Sequence, residues 1–317
     1  MDSLESEEIL VRPVAGVNGG NRRKFRLRFP PGARNRFLHS KRRLPSLCVA
    51  RHNRRVTRNT WRGRIARAGQ LAEQYPFASE ILGFYSHIAH FQAELGGGGD
   101  GSVRWPPDAE ATVRVLVEYV PKFQAFLLVV ERHGPALLAQ VARMLQAGAP
   151  DWQADVLREG WLSTQPPSQP QGFLAYAFLQ PYAELQRQHA GLQTTGYQYS
   201  YCPFCNRKPA FGIMRPQGDG ASRHLACGFC LTEWEFRRVT CPGCGEEDPD
   251  KLPVYTAAEL PHVRVECCDT CKTYIKSIDL TKNGLAVPLV DEMASVPLNL
   301  WAQEHTYAKL FPNLLGM

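Results

Sequence analysis

The chain has 317 residues, a formal net charge of +7, 44% hydrophobic residues and ten cysteines. This is longer than a single stapled module and long enough for two or more units, while apolar runs such as 126–130 are far too short to span a membrane, and no apolar segment opens the chain as a secretory signal would. The basicity is confined to residues 1–60, with 15 Lys/Arg against 4 Asp/Glu, so the rest, with 22 against 26, lacks the basic footprint of a nucleic-acid reader.

Residues 1–59 read as a basic, flexible extension. From Arg22 to Arg58 there is no acidic residue and little apolar periodicity, and Gly and Pro recur. Cys48 stands alone in this segment and is assigned no role. Residues 60–195 read as a helical domain. Phe77, Ile81, Phe84, Tyr85, Ile88 and Phe91 form an apolar stripe at intervals of three and four; Val113, Leu116, Val117 and Val120 begin another, which Pro121 is expected to interrupt. Residues 123–131, 135–146 and 172–193 continue the series, and the glycines of 96–101 and the three prolines of 163–171 mark connections. About 130 residues of bundle suffice for one core.

Four Cys-x-x-Cys pairs follow: Cys202/Cys205, Cys227/Cys230, Cys241/Cys244 and Cys268/Cys271. A tetrahedral thiolate site needs two short loops that each turn two sulfurs toward one ion, and a two-residue gap does this. The eight thiols are therefore expected to ligate two metal ions. An internal repeat suggests the pairing. The first and third pairs begin Cys-Pro, and the second and fourth are followed by a Thr and an aromatic residue, Thr232 and Trp234, then Thr273 and Tyr274. Within each unit 21 and 23 residues separate the pairs, against ten between Cys230 and Cys241, which favours two sites in series, 196–239 and 240–282, over a cross-braced arrangement.

Segments 209–214, 223–226, 232–239, 253–255, 262–266 and 274–280 have the short alternating character of ribbon strands. Such ribbons bury little core, so the metal should supply folding free energy, about 10–16 kcal/mol for structural zinc. A disulfide framework suits a short secreted chain and a redox motif a single pair, so neither accounts for this pattern. Cys267 is out of ligand register and reads as a spare, packed thiol. In the tail, 283–317, residues 291–294 and 298–310 are expected as short helices, with Trp301 a packing anchor and His305 an ordinary surface or capping residue. The fold class is thus α+β: a helical bundle, two zinc-ribbon modules and a short helical tail. No nucleotide fingerprint or carboxylate pair marks a catalytic site, so the chain reads as a non-enzyme.

The segments Cys202-Pro-Phe-Cys205, Arg223-His-Leu-Ala-Cys227-Gly-Phe-Cys230-Leu-Thr-Glu-Trp234, Arg238-Val-Thr-Cys241-Pro-Gly-Cys244-Gly245 and Cys268-Asp-Thr-Cys271-Lys-Thr-Tyr274-Ile-Lys276-Ser-Ile-Asp279 together resemble the formate dehydrogenase accessory protein FdhE family. Arg64-Ile-Ala-Arg67 through Tyr75-Pro76 looks like the family's opening helix, and Pro297-Leu298-Asn299-Leu300-Trp301-Ala302-Gln303-Glu304 its closing segment, so the likeness runs over about 60–312. The basic extension, Asn299 in place of Asp, and Cys267 depart from it. The resemblance implies a cytoplasmic assembly factor with rubredoxin-like modules that acts on the catalytic subunit of a respiratory formate dehydrogenase, with iron at the cysteine sites, although the spacing admits zinc equally. A rubredoxin-like electron carrier and a nucleic-acid-binding zinc ribbon are the alternatives. Residues 197–280, with 10 Lys/Arg against 11 Asp/Glu, disfavour the latter.

Overall fold

A computed structural model of the chain describes residues 8–13, 25–28, 60–97 and 115–317. Helix α1 (Trp61–Gln74) starts where the Thr60 hydroxyl accepts from Gly63 N, satisfying one amide left over by the first turn. Its buried face carries Arg64, Ala68 and Leu71, and the predicted stripe then lies along α2 (Ser79–Gly97), with Phe84, Tyr85 and Ile88 buried. Pro121 does not interrupt the next helix. It lies in the first turn of α3 (Val120–His133), where a missing N–H costs nothing, and Val117–Tyr119 form a single 3-10 turn before it.

Helices α4 (Ala136–Ala147) and α5 (Pro150–Leu162) lead to α6 (Pro170–His189). Sequence periodicity did not single out α5, whose buried residues include polar Gln153. Every residue of α6 from Leu174 to Glu184 is buried, as expected of a helix surrounded by others, and it tolerates Pro181. Val113 and residues 98–101 of the glycine-rich connection lie outside the described residues, while Gly96 and Gly97 close α2.

Strands β3 (Phe211–Gln217), β4 (Gly220–Ala226) and β5 (Glu233–Glu235) belong to the first ribbon; β6 (Val254–Ala257), β7 (Val263–Cys268) and β8 (Thr273–Asp279) belong to the second. The two ribbons share one sheet. β3 pairs in parallel with β8, matching Gly212 with Ser277 and Met214 with Asp279, so both units join one nine-stranded sheet. Gly212 is required there, because a Cβ would lie 2.1 Å from Ser277 Oγ.

The first ribbon also shares its core with the helices: Phe229 packs on Tyr176 and Trp161, with ring centroids 5.0 and 5.7 Å apart. Arg207 stacks 3.9 Å from the Phe229 ring and donates to the carbonyls of Gly160 and Trp161 at 2.9 Å, serving orphan carbonyls at the end of α5.

The tail forms α7 (Pro288–Ala294) and α8 (Val296–Glu304). The second expected helix, 298–310, is shorter than its pattern implied: Thr306 turns at φ 65° and Ala308–Lys309 becomes β9, paired with β8. Tertiary pairing at an open strand edge wins over local periodicity here.

Two pieces of the expected extension are also strands. β1 (Glu8–Pro13) and β2 (Phe25–Arg28) form an antiparallel pair, and β1 pairs with β6 through Val11–Ala257, Arg12–Thr256 and Pro13–Tyr255. Four to six residues are too few to show a period, yet they cover the sheet's edge and bury Val11 completely. Deleting residues 1–28 should lower stability by about 1.5–3 kcal/mol, the worth of one buried valine, without loss of metal-site thiols. A thermal melt with thiol titration of the truncated chain checks this, and an unchanged melting temperature would show that the hairpin adds nothing.

Candidate metal centres

Each of the four knuckles follows one local plan. The residue after the second cysteine adopts a left-handed conformation: Asn206 at φ 57°, Leu231 at 54°, Gly245 at 83° and Lys272 at 54°. Only one of these is glycine, so the other three hold a conformation costing about 1 kcal/mol each, which a turn keeps only when its surroundings demand it. The turn aims backbone amides at sulfur: Phe204 N at Cys202 Sγ and Phe229 N at Cys227 Sγ, both 3.4 Å, and Gly243 N at Cys241 Sγ, 3.2 Å. Amide donors of this kind stabilise a thiolate.

The sulfurs gather into two groups in series. Cys202, Cys205, Cys227 and Cys230 form one; Cys241, Cys244, Cys268 and Cys271 form the other, with ligand atoms inside each group within 4.8 Å of one another. In the first group Cys202 to Cys230 and Cys205 to Cys227 are 3.4 Å apart; in the second Cys241 to Cys271 and Cys244 to Cys268 are 3.7 Å apart. Four sulfurs at bonds of about 2.3 Å around a tetrahedral ion would lie about 3.8 Å from each other. Either group could hold a metal ion, and no disulfide joins the nine described cysteines.

The repeated threonine has a role in this geometry. Thr232 Oγ1 lies 3.1 Å from Cys230 Sγ and Thr273 Oγ1 3.0 Å from Cys271 Sγ, so in each unit a hydroxyl can donate to the last thiolate.

The two groups differ in their surroundings. Cys202, Cys227 and Cys230 are buried in the core shared with the helices, and burial pushes the Cys227 and Cys230 thiols well above their ordinary range. An ion entering there must displace protons that the apolar surroundings hold in place. In the second group Cys244 is exposed. Burial acts to raise Cys271, but the Thr273 hydroxyl and amide and the neighbouring thiols outweigh it and hold the group at about 7.

Cys267 is buried on the opposite face of β7 from Cys268 and faces Tyr274 across the ladder; burial raises its thiol well above the usual value, the state of an inert packed thiol. Trp301 is 1% exposed and packs on Tyr255, while His305 stacks on Trp301 away from both cysteine groups. Asn299 accepts from the Tyr274 hydroxyl at 3.0 Å.

Sequence reasoning missed the ionic network behind the second ribbon. Lys276, from β8, reaches Glu292 Oε1 at 3.0 Å and donates to the carbonyls of Glu292 and Ser295. Lys309 meets the same carboxylate at 2.5 Å and Asn313 donates to its other oxygen at 2.8 Å. Burial opposes ionisation of Glu292, but the two ammonium groups prevail and hold it at about 2. Asp291 receives Arg67 through two hydrogen bonds and His262 through a third. Arg64 clasps Glu184 in the same bidentate way. These ties run from α1 through α7 to the sheet. Arg64, Arg67 and Lys276 stand in the motifs quoted above, and charged residues inside otherwise apolar runs were the only available signal.

A helical domain whose core continues into a sheet carrying two tetracysteine knuckle pairs defines a double zinc-ribbon-like protein. The family model "FdhE, central domain" matches residues 201–238 and "FdhE, C-terminal domain" matches 239–315. The "Protein FdhE homolog" of Aquifex aeolicus is 28% identical over 283 residues, 78% of this chain and 92% of that one. The Pseudomonas putida homolog is 33% identical over 122 residues, 36% of this chain and 37% of its own; the FdhE protein of Escherichia coli K12 is 31% identical over 115 residues, 36% and 37%. The crystal structure of the FdhE protein from Pseudomonas aeruginosa shares the fold, with a TM-score of 0.60 at 23% identity over 82% of this chain and 96% of that chain. Residues 201–315 thus match the two FdhE domain models, and the chain resembles FdhE proteins over most of its length.

Proposed function

We propose that this protein is a cytoplasmic accessory factor for formate dehydrogenase that binds the catalytic subunit and does not itself turn over formate. The observation that carries this reading is the likeness to FdhE across both the ribbons and the helical part, 92% of the Aquifex aeolicus chain being covered. No helix among the described residues is long and apolar enough to cross a membrane. Each unit holds one metal ion, on Cys202, Cys205, Cys227 and Cys230 in the first and on Cys241, Cys244, Cys268 and Cys271 in the second. The family likeness favours iron, and the sulfur spacing suits zinc as well. Iron would add one-electron chemistry without a change of ligands; zinc would act as a clamp alone.

The chain's own contribution is to keep two ribbons and a bundle as one body, so that a surface spanning them has a fixed shape. A pull-down of the formate dehydrogenase catalytic subunit should succeed with wild type and fail with a Cys241→Ser, Cys244→Ser variant. Equal capture by both would show that the second ribbon does not shape the binding surface. A rubredoxin-like electron carrier is the second reading, favoured by the exposure of Cys244, which brings one cluster to the surface. The visible spectrum of anaerobically purified protein separates them: reversible bleaching of a ferric tetrathiolate band, coupled to turnover of a partner reductase, belongs only to the carrier.

A further inference from the structure

A cavity of about 370 Å³ lies where the two ribbons meet. The strand register sets its floor, placing Met214, Arg223, Arg264, Glu266 and Ile275 on one face of the sheet. The link between β5 and the third knuckle, residues 238–242, forms its wall. Three guanidinium groups and one carboxylate line this space.

Arg223 is already engaged. It donates to the carbonyls of Arg237 and Thr240 at 2.9 Å and pairs with Glu266 at 2.6 Å, which anchors the link to the floor. Arg264 is not. Its Nε is buried without a hydrogen-bond partner, and neither Arg264 nor Arg238, exposed at the mouth, is ion-paired among the described residues. A buried donor left unmet costs about 1–3 kcal/mol, more when charged, so an acceptor placed there would recover that energy. Cys241 and Cys268 of the second cysteine group border the cavity, but Arg264 precedes Cys268 by four residues on the same strand, roughly 13 Å of extended chain, so the group does not engage it.

We propose that this cavity binds an organic carboxylate with an apolar body, its oxygens held by Arg264 and Arg238 and its apolar part against Met214, Val254, Ile275 and Leu310. The lining separates this class from small hydrated anions. Much of the wall is aliphatic, and a fully hydrated oxyanion would leave that surface uncovered, whereas a carboxylate on a hydrocarbon fills both parts. A free organic acid and the C-terminal residue of a peptide share this chemistry. The proposal is independent of the client assigned above.

Saturation-transfer NMR on the full, metal-replete chain provides the test, with N-acetyl-leucine, its uncharged amide and acetate as probes. N-acetyl-leucine should bind, and the other two should bind about tenfold more weakly or worse, as the loss of a charge-assisted contact or of the apolar body requires. Arg264→Gln and, separately, the exposed Arg238→Gln should each weaken the acid by about tenfold with two metal ions per chain retained. A tetrapeptide ending in leucine, compared with its C-terminal amide, identifies the source: tighter binding than N-acetyl-leucine assigns the pocket to a chain terminus, weaker binding to a free acid. Absence of saturation with N-acetyl-leucine, equal binding of acid and amide, or unchanged affinity in both variants would overturn the proposal.

Discussion

Replacing Cys227 and Cys230 with Ser should unfold far more than a single knuckle. Both sulfurs lie in the core that Trp161, Tyr176 and Phe229 share between the helices and the first ribbon, and Phe229 sits inside the knuckle itself. A structural metal site of this type contributes about 10–16 kcal/mol, comparable to the whole stability of an ordinary domain, so its loss removes the sheet and loosens α5 and α6 together. Metal analysis, near-ultraviolet dichroism and limited proteolysis should show one ion lost, aromatic signals collapsed and cleavage spreading into residues 150–189. The equivalent change at Cys241 and Cys244 should empty the other site while the helical core keeps its transition, because that cluster has an exposed member and stands outside the shared core. Equal damage from both variants would refute the asymmetry.

Glu292→Ala should destabilise the protein by about 3–5 kcal/mol, the cost of breaking a buried ion pair and leaving its partners charged. Lys276 and Glu292 are fully buried, and Lys309 and Asn313 lose the same acceptor. The sign of the pH effect follows. Wild-type Glu292, held at about 2 against an ordinary value of 4.5, contributes stability that is complete above about pH 4.5 and fades as pH falls toward 2. The variant should lack this component, so the two melting curves should converge on acidification. A parallel offset down to pH 3 would show that the carboxylate acts by packing and not by charge.

The two groups of candidate thiols could be read directly, because a Cys-x-x-Cys knuckle is a local object: two sulfurs and one turn specify it within about six residues. The left-handed residues were less visible, since Asn206, Leu231 and Lys272 do not carry the glycine signature that Gly245 does. Helices α2 and α3 were legible through their apolar spacing and α1 through the family resemblance, while α5 and the end of the tail were obscured by polar buried residues and by a strand edge recruiting Ala308 and Lys309. The hairpin of β1 and β2 is too short to declare itself against a basic background.

Spacing and residue type alone therefore settled the α+β character and the eight candidate thiols, because chelation and helical amphipathicity depend on neighbours a few bonds away. Tertiary structure decided that β3 meets β8 in parallel, that the first ribbon shares the helices' core, and that Glu292 sits between two lysines. These contacts join residues far apart in the chain. Which edge pairs with which, and which charge is buried beside which, depends on how the whole chain removes its apolar surface from water, and no local pattern carries that information.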